Sequence, residues 1–139
     1  LYRKKEYAEQ QKFRISVGNL EISFSPAVHA YPSHVITVVS GNKKLVYSGD
    51  TEYFPQLAEL AAGADLFLCE ANYLQKDIKN GSPNHLAAYQ AGKTARDAGV
   101  KRLVLTHHHP ERNLKKSWAE AAEYFANLEL ASAGAVYFV

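Results

Sequence analysis

The chain has 139 residues, 47% of them hydrophobic and 22% charged, with a formal net charge of +2, so one domain with a core of its own is expected and no nucleic-acid or membrane partner is demanded. The single cysteine, Cys69, excludes an internal disulfide and suits a reducing compartment, and its apolar neighbours Leu66, Phe67 and Leu68 make it a core residue. There is neither a run of ~20 apolar residues for a membrane span nor a secretion signal, and a cytoplasmic location is expected. The chain begins at Leu1 and contains no methionine, which reads as a piece of a longer protein.

Residues Leu1–Lys12 are charged and show no apolar face, as a lead-in from an upstream segment would. Phe13–Val17 and Leu20–Phe24 flank a Gly18-Asn19 turn, and the alternation Leu-Glu-Ile-Ser-Phe predicts a half-buried hairpin strand. A loop pinned by Pro26 and Pro32 carries His29. His34–Val39 and Leu45–Ser48 are further strands joined by a turn at Gly41-Asn42, so the first part is an antiparallel meander.

The pattern then changes. Tyr53–Ala62 predicts a helix closed by Gly63, Asp65–Cys69 a strand, and Asn72–Pro83 a long polar loop. A helix over His85–Ala98 ends at Gly99, and Lys101–Thr106 is a strand. Ser117–Leu128 predicts the last helix, with Trp118, Ala121, Ala122 and Phe125 at helical spacing, and Ala135–Val139 a closing strand. Strands alternating with helices predict an α/β chain, a mixed sheet with helices on one face.

The chemistry-bearing residues fall at the ends of strands, where α/β sheets collect their ligands. Asp50 follows Leu45-Val46-Tyr47-Ser48-Gly49, a short buried strand whose glycine lets the backbone turn; as a residue near a helix start it also reads as a cap. Glu70 follows the next strand, and His107, His108 and His109 follow the third. Imidazole nitrogen and carboxylate oxygen are the donors Zn²⁺ takes, so His29, Asp50 and His107 form a candidate ligand set if the fold gathers their loops. His85 then reads either as a first-turn helix residue or as a further member of the same cluster.

The order Pro-x-x-His at His29, Tyr-Ser-Gly-Asp-Thr at Asp50, Asn-His-Leu-Ala-Ala at His85 and Leu-Thr-His at His107 resembles the C-terminal half of metallo-β-lactamase-fold hydrolases. Within that family it is most similar to the ribonuclease Z and phosphodiesterase-like branch. The resemblance runs from about Phe13 to Val139 and implies the second half of an αββα sandwich, residues 13–139, with residues 1–12 leading in from a missing N-terminal half.

It implies His29 and His107 as metal ligands, with His108 the alternative to His107. Asp50 would be the carboxylate shared by two metals, Zn²⁺ or alternatively Mn²⁺, and His85, beside the substrate phosphate, would be catalytic together with Asp50. The family's H-x-H-x-D-H motif is absent from these 139 residues, so the N-terminal half is an implied partner and the chain would hold only part of the site. The implied function is hydrolysis of a phosphodiester in RNA or a small molecule. The alternatives are a thioester or lactone hydrolase on the same fold, and an α/β interaction domain without catalysis. A homodimer is compatible with all three.

Overall fold

The structure, a computed structural model, describes residues 12–78 and 84–139. The expected lead-in over residues 1–12 lies outside the described residues except for its last position, as does the end of the polar loop, residues 79–83.

Seven strands form one sheet in sequence order: β1 (Phe13–Val17), β2 (Leu20–Pro26), β3 (His34–Ser40), β4 (Lys43–Tyr47), β5 (Leu66–Glu70), β6 (Leu103–Thr106) and β7 (Leu128–Leu130). β1 to β4 are antiparallel neighbours, with short turns at 18–19 and 41–42 and the loop 27–33 between β2 and β3, and β4 to β7 run parallel. Parallel neighbours need crossovers. These carry helices α1 (Gln56–Ala61), α2 (Ala88–Ala98) and α3 (Leu114–Ala122).

The helices share one face of the sheet. Val35, Val46, Phe67, Cys69, Leu103 and Leu105 point into a single cluster with Leu57 and Ala61 of α1, Ala88, Ala91 and Ala95 of α2, and Ala121 of α3. Full burial of Leu57, Phe67, Leu103 or Leu105 stabilises the fold by about 1.5–3 kcal/mol each. Cys69 lies in this core, as its neighbours foretell, and burial pushes its thiol pKa up. The opposite face is also apolar: Phe24, Ile36, Tyr47 and Leu68 lie in register across β2 to β5 and are half-buried.

α2 and α3 approach through small residues. A Cβ on Gly92 would stand 2.5 Å from the carbonyl oxygen of Ala121, so the glycine sets how closely the two helices pack. The α3 face turned inward is Ser117 and Ala121, and Trp118, expected on the packing face, is 45% exposed.

Four elements differ from expectation by three residues or more at a boundary. α1 begins at Gln56, behind Pro55, rather than at Tyr53. α3 begins at Leu114, where the side chain of Asn113 accepts the Lys115 N–H (3.1 Å), and ends at Ala122 rather than Leu128. The closing strand is Leu128–Leu130, because these residues reach the free edge of β6; residues 135–139 form no strand. α2 starts at Ala88 rather than His85, for a reason that belongs to the site.

Candidate active site

Parallel pairing aligns the ends of β4, β5 and β6. The ladder runs on past them, Ser48 N–H donating to Leu68 O (3.0 Å) and Ala71 N–H to Thr106 O (2.9 Å), so Asp50 and His107 leave the sheet at one level, just beyond Glu70, the last residue of β5. Gly49 makes the exit from β4. Its φ is +61°, and a Cβ there would stand 2.4 Å from the backbone oxygen of His34. No side chain fits that gap. Asp50 caps no helix, since α1 begins six residues later behind Pro55; its carboxylate lies 3.6 Å from His107 Nδ1.

Glu70, wholly buried, organises the site. Its carboxylate accepts N–H bonds from Thr51 (2.7 Å), Leu86 (3.1 Å) and Asn72 (3.4 Å), and shares a 2.9 Å hydrogen bond with His85 Nδ1. Burial raises its pKa to about 7; the Thr51 and Leu86 N–H bonds, the charge of His107 and the Asn72 N–H oppose that rise. Thr51 extends the network, its hydroxyl accepting the Val28 N–H at 3.1 Å from the loop that carries His29.

The same contacts explain the late start of α2. Glu70 holds Leu86 N–H, while Tyr73 and Ala87 form a parallel bridge, Tyr73 N–H donating to Leu86 O (3.0 Å) and Ala88 N–H to Tyr73 O (2.8 Å). Residues 86 and 87 are thereby extended. His85 sits before the helix, so Glu70 positions it and the helix dipole does not act on it at close range.

The imidazoles stand in a row. The His85 ring centroid is 5.5 Å from that of His29 and 5.1 Å from that of His107, with Tyr73 at 5.7 Å. His107 has φ +52°, unusual for a residue with a Cβ, and Asn72 Nδ2 donates to its carbonyl at 3.2 Å. His108 departs from the row: both its ring nitrogens are buried, and burial lowers its pKa. His109 Nδ1 accepts the Glu111 N–H at 3.3 Å within the loop. His107, and not His108, therefore faces Asp50.

The donors suit a cation such as Zn²⁺ in kind. Two atoms bound to one tetrahedral ion at ~2.1 Å stand about 3.4 Å apart, close to the His107–Asp50 separation of 3.6 Å. His29 Nδ1 accepts the Tyr31 N–H at 3.1 Å in one tautomer and can donate to Tyr31 O at 3.2 Å in the other; the second tautomer is the one that leaves Nε2 its lone pair for a metal. Among the described residues no three His, Cys, Asp or Glu side chains already surround one point.

Two residues of this network carry no sequence signal, Asn72 and Thr51, since their part is played across the sheet. Glu70 did carry one: it is the lone acid closing an otherwise apolar strand.

A mixed sheet covered by helices on one face, with imidazole and carboxylate donors at its strand ends, defines the α/β class of the metallo-β-lactamase fold. The beta-lactamase superfamily domain matches residues 2–108, and the chain belongs to that superfamily. It is 42% identical over 113 residues to an uncharacterised protein of Mycobacterium leprae, covering 80% of this chain and 39% of that protein. It is 38% identical over 87 residues to ribonuclease Z of Lachnoclostridium phytofermentans, covering 60% of this chain and 29% of the relative. The crystal structure of the metallo-beta-lactamase fold protein YhfI from Bacillus subtilis superposes with a TM-score of 0.84 at 25% identity, covering 90% of this chain and 52% of that one. The chain thus spans less than half the length of the Mycobacterium leprae and Lachnoclostridium phytofermentans relatives and about half of the YhfI structure.

Proposed function

We propose that residues 13–139 are the C-terminal half of a metal-dependent hydrolase domain that cleaves phosphodiesters. The observation that carries the reading is His85, clamped at Nδ1 by the buried Glu70 and flanked by His29 and His107. His29, Asp50 and His107 would hold the cations, Zn²⁺ by donor chemistry and Mn²⁺ as the alternative, with Asp50 shared between two of them. When bound, such ions supply Lewis acidity, which neutralises developing charge and brings the deprotonation of water toward neutral pH.

This chain's own part is the proton. Because Glu70 fixes Nδ1, the opposite nitrogen, Nε2, is the one that would deliver a proton to the departing oxygen as the phosphorus–oxygen bond breaks. A proton on Nδ1 and a carboxylate on Glu70 keep that tautomer and orientation, and stabilise the ring whenever Nε2 is also protonated.

The remaining ligands would come from an N-terminal half seated on the open apolar face. The half-buried Phe24, Ile36, Tyr47 and Leu68 of that face, and the 39% share of the Mycobacterium leprae relative that the chain spans, support this. A cytoplasmic location suits the reading; among the described residues no helix is long and apolar enough to cross a membrane.

The test uses the intact protein. Elemental analysis should find about two equivalents of metal, and bis-p-nitrophenyl phosphate should turn over faster than a p-nitrophenyl acyl ester. A faster acyl ester would place the site with thioester or lactone hydrolases; no metal and no turnover of either would make the chain an interaction domain.

A further inference from the structure

Asn84 is the second residue with a side chain in the left-handed region, at φ +66°. Asparagine tolerates that conformation better than most residues, so its backbone alone would make it an ordinary turn residue. Its side chain does something else. Oδ1 accepts the Ala30 N–H at 2.9 Å, across 54 positions of chain. Ala30 is the neighbour of His29, and Asn84 is the neighbour of His85.

That bond closes a circuit. Glu70 Oε1 accepts Thr51 N–H (2.7 Å), and Thr51 Oγ1 accepts Val28 N–H (3.1 Å). The chain then passes through His29 to Ala30, whose N–H reaches Asn84. Asn84 leads to His85, and His85 Nδ1 returns to Glu70 Oε1 at 2.9 Å. Glu52 braces the same corner, donating its N–H to Val28 O (2.8 Å) and accepting Asn84 N–H (3.4 Å). The two imidazoles inside the circuit lie edge to face at 5.5 Å.

Among the described residues, the Asn84–Ala30 bond is the direct hydrogen-bonded link between the His29 loop and the residue next to His85. The loop is also tied at its base, where Ala27 N–H donates to Ser33 O (2.9 Å), and at Val28. Those ties leave the position of residues 29–31 relative to His85 to Asn84. We propose that Asn84 is a positioning residue, whose side-chain oxygen sets the His29 imidazole against the His85 imidazole. The inference rests on the reading that both histidines serve one site, but its test does not depend on turnover.

Two substitutions separate the backbone role from the side-chain role. Asn84→Gly keeps the left-handed turn and removes the oxygen; Asn84→Asp keeps an oxygen at the same place. In NMR spectra of the full chain, the wild type should show cross-relaxation between the His29 and His85 rings and a protected Ala30 amide. Asn84→Gly should lose the ring–ring signal and exchange Ala30 about tenfold faster or more, the effect of a lost hydrogen bond of roughly 1.4 kcal/mol, while its urea midpoint falls by no more than the loss of that one bond accounts for. Asn84→Asp should restore both signals.

Retention of the ring–ring signal and of Ala30 protection in Asn84→Gly would overturn the inference and leave Asn84 a turn residue. Loss of both in a folded Asn84→Asp would overturn it too, and that variant decides the matter if the glycine variant does not fold. A wild type without the ring–ring signal would instead refute the shared site on which the inference stands.

Discussion

Replacing Glu70 by glutamine tests the centre of the site without altering its shape. The carboxyl group is buried and its pKa is raised to about 7, against 4.5 for an unperturbed glutamate on the same scale. In the unfolded chain the group has lost its proton by about pH 5, whereas the folded protein keeps it to near neutrality. Folding therefore takes up a proton between these values, and stability attributable to Glu70 is fully present below pH ~4.5 and declines as pH rises through ~7. The size of the decline follows from the separation of the two pKa values: about 2.5 units at 1.36 kcal/mol each is on the order of 3 kcal/mol.

Glutamine cannot titrate, so it removes that slope. It brings a cost of its own. One carboxylate oxygen becomes an NH₂ group facing N–H donors, those of Leu86 and Asn72 or that of Thr51, and a buried donor without an acceptor costs about 1–3 kcal/mol. Urea denaturation of wild type and Glu70→Gln at several pH values between 4.5 and 7.5, with chelator present, measures both effects. The variant should be less stable by about 1–3 kcal/mol near pH 5, and the difference should shift in its favour by about 2 kcal/mol between pH 5 and pH 7. Parallel pH profiles for the two proteins would refute the reasoning, because they would mean that Glu70 already folds as the anion.

In the intact protein, Asp50→Ala should abolish metal-dependent turnover with loss of bound metal, whereas His85→Ala should keep its metal and lose turnover; equal metal loss in both, by elemental analysis, would make His85 a ligand. Gly49→Ala should destabilise the chain by about 2 kcal/mol or more, since φ +61° and a 2.4 Å approach to the His34 carbonyl both oppose a Cβ; an unchanged urea midpoint would refute it. Gly92→Ala should cost about 1–3 kcal/mol by forcing α2 from the Ala121 backbone, even though alanine is the better helix former. A stabilised Gly92→Ala would mean that the two helices are not in close contact.

How much of this the sequence discloses depends on the range of the interaction responsible. The meander β1 to β4 is legible because alternation of apolar and polar residues and the Gly18-Asn19 and Gly41-Asn42 turns are local. The chemistry-bearing residues are legible for a related reason: a polar residue that closes or directly follows an apolar strand marks the sheet's end, as Glu70 closes β5 and Asp50 and His107 follow β4 and β6. The misplaced boundaries are those set at a distance. Nothing within His85-Leu86-Ala87 opposes a helix; the bridge to Tyr73 and the Glu70 carboxylate do. Nothing in Trp118 says that it faces outward; α3 turns Ser117 and Ala121 inward, where its backbone comes so close to Gly92 that even a Cβ on the glycine would clash.

The same distinction holds inside the site. Asp50 and His107 announce themselves as donors, but donors at strand ends are only a list until something orders them. That ordering is the work of Glu70, which ties β5 to the segments bearing Thr51, Asn72, Leu86 and His85. A carboxylate needs several partners to be tolerable in an apolar interior, and the partners it recruits here are backbone N–H groups on the loops that carry the other functional residues. Burial of one acid thus fixes the loop geometry and the orientation of His85 in a single step. For that reason the pH dependence of stability and the placement of the imidazoles should fail together when Glu70 is lost, and an Asn84 variant should disturb the second while leaving the first intact.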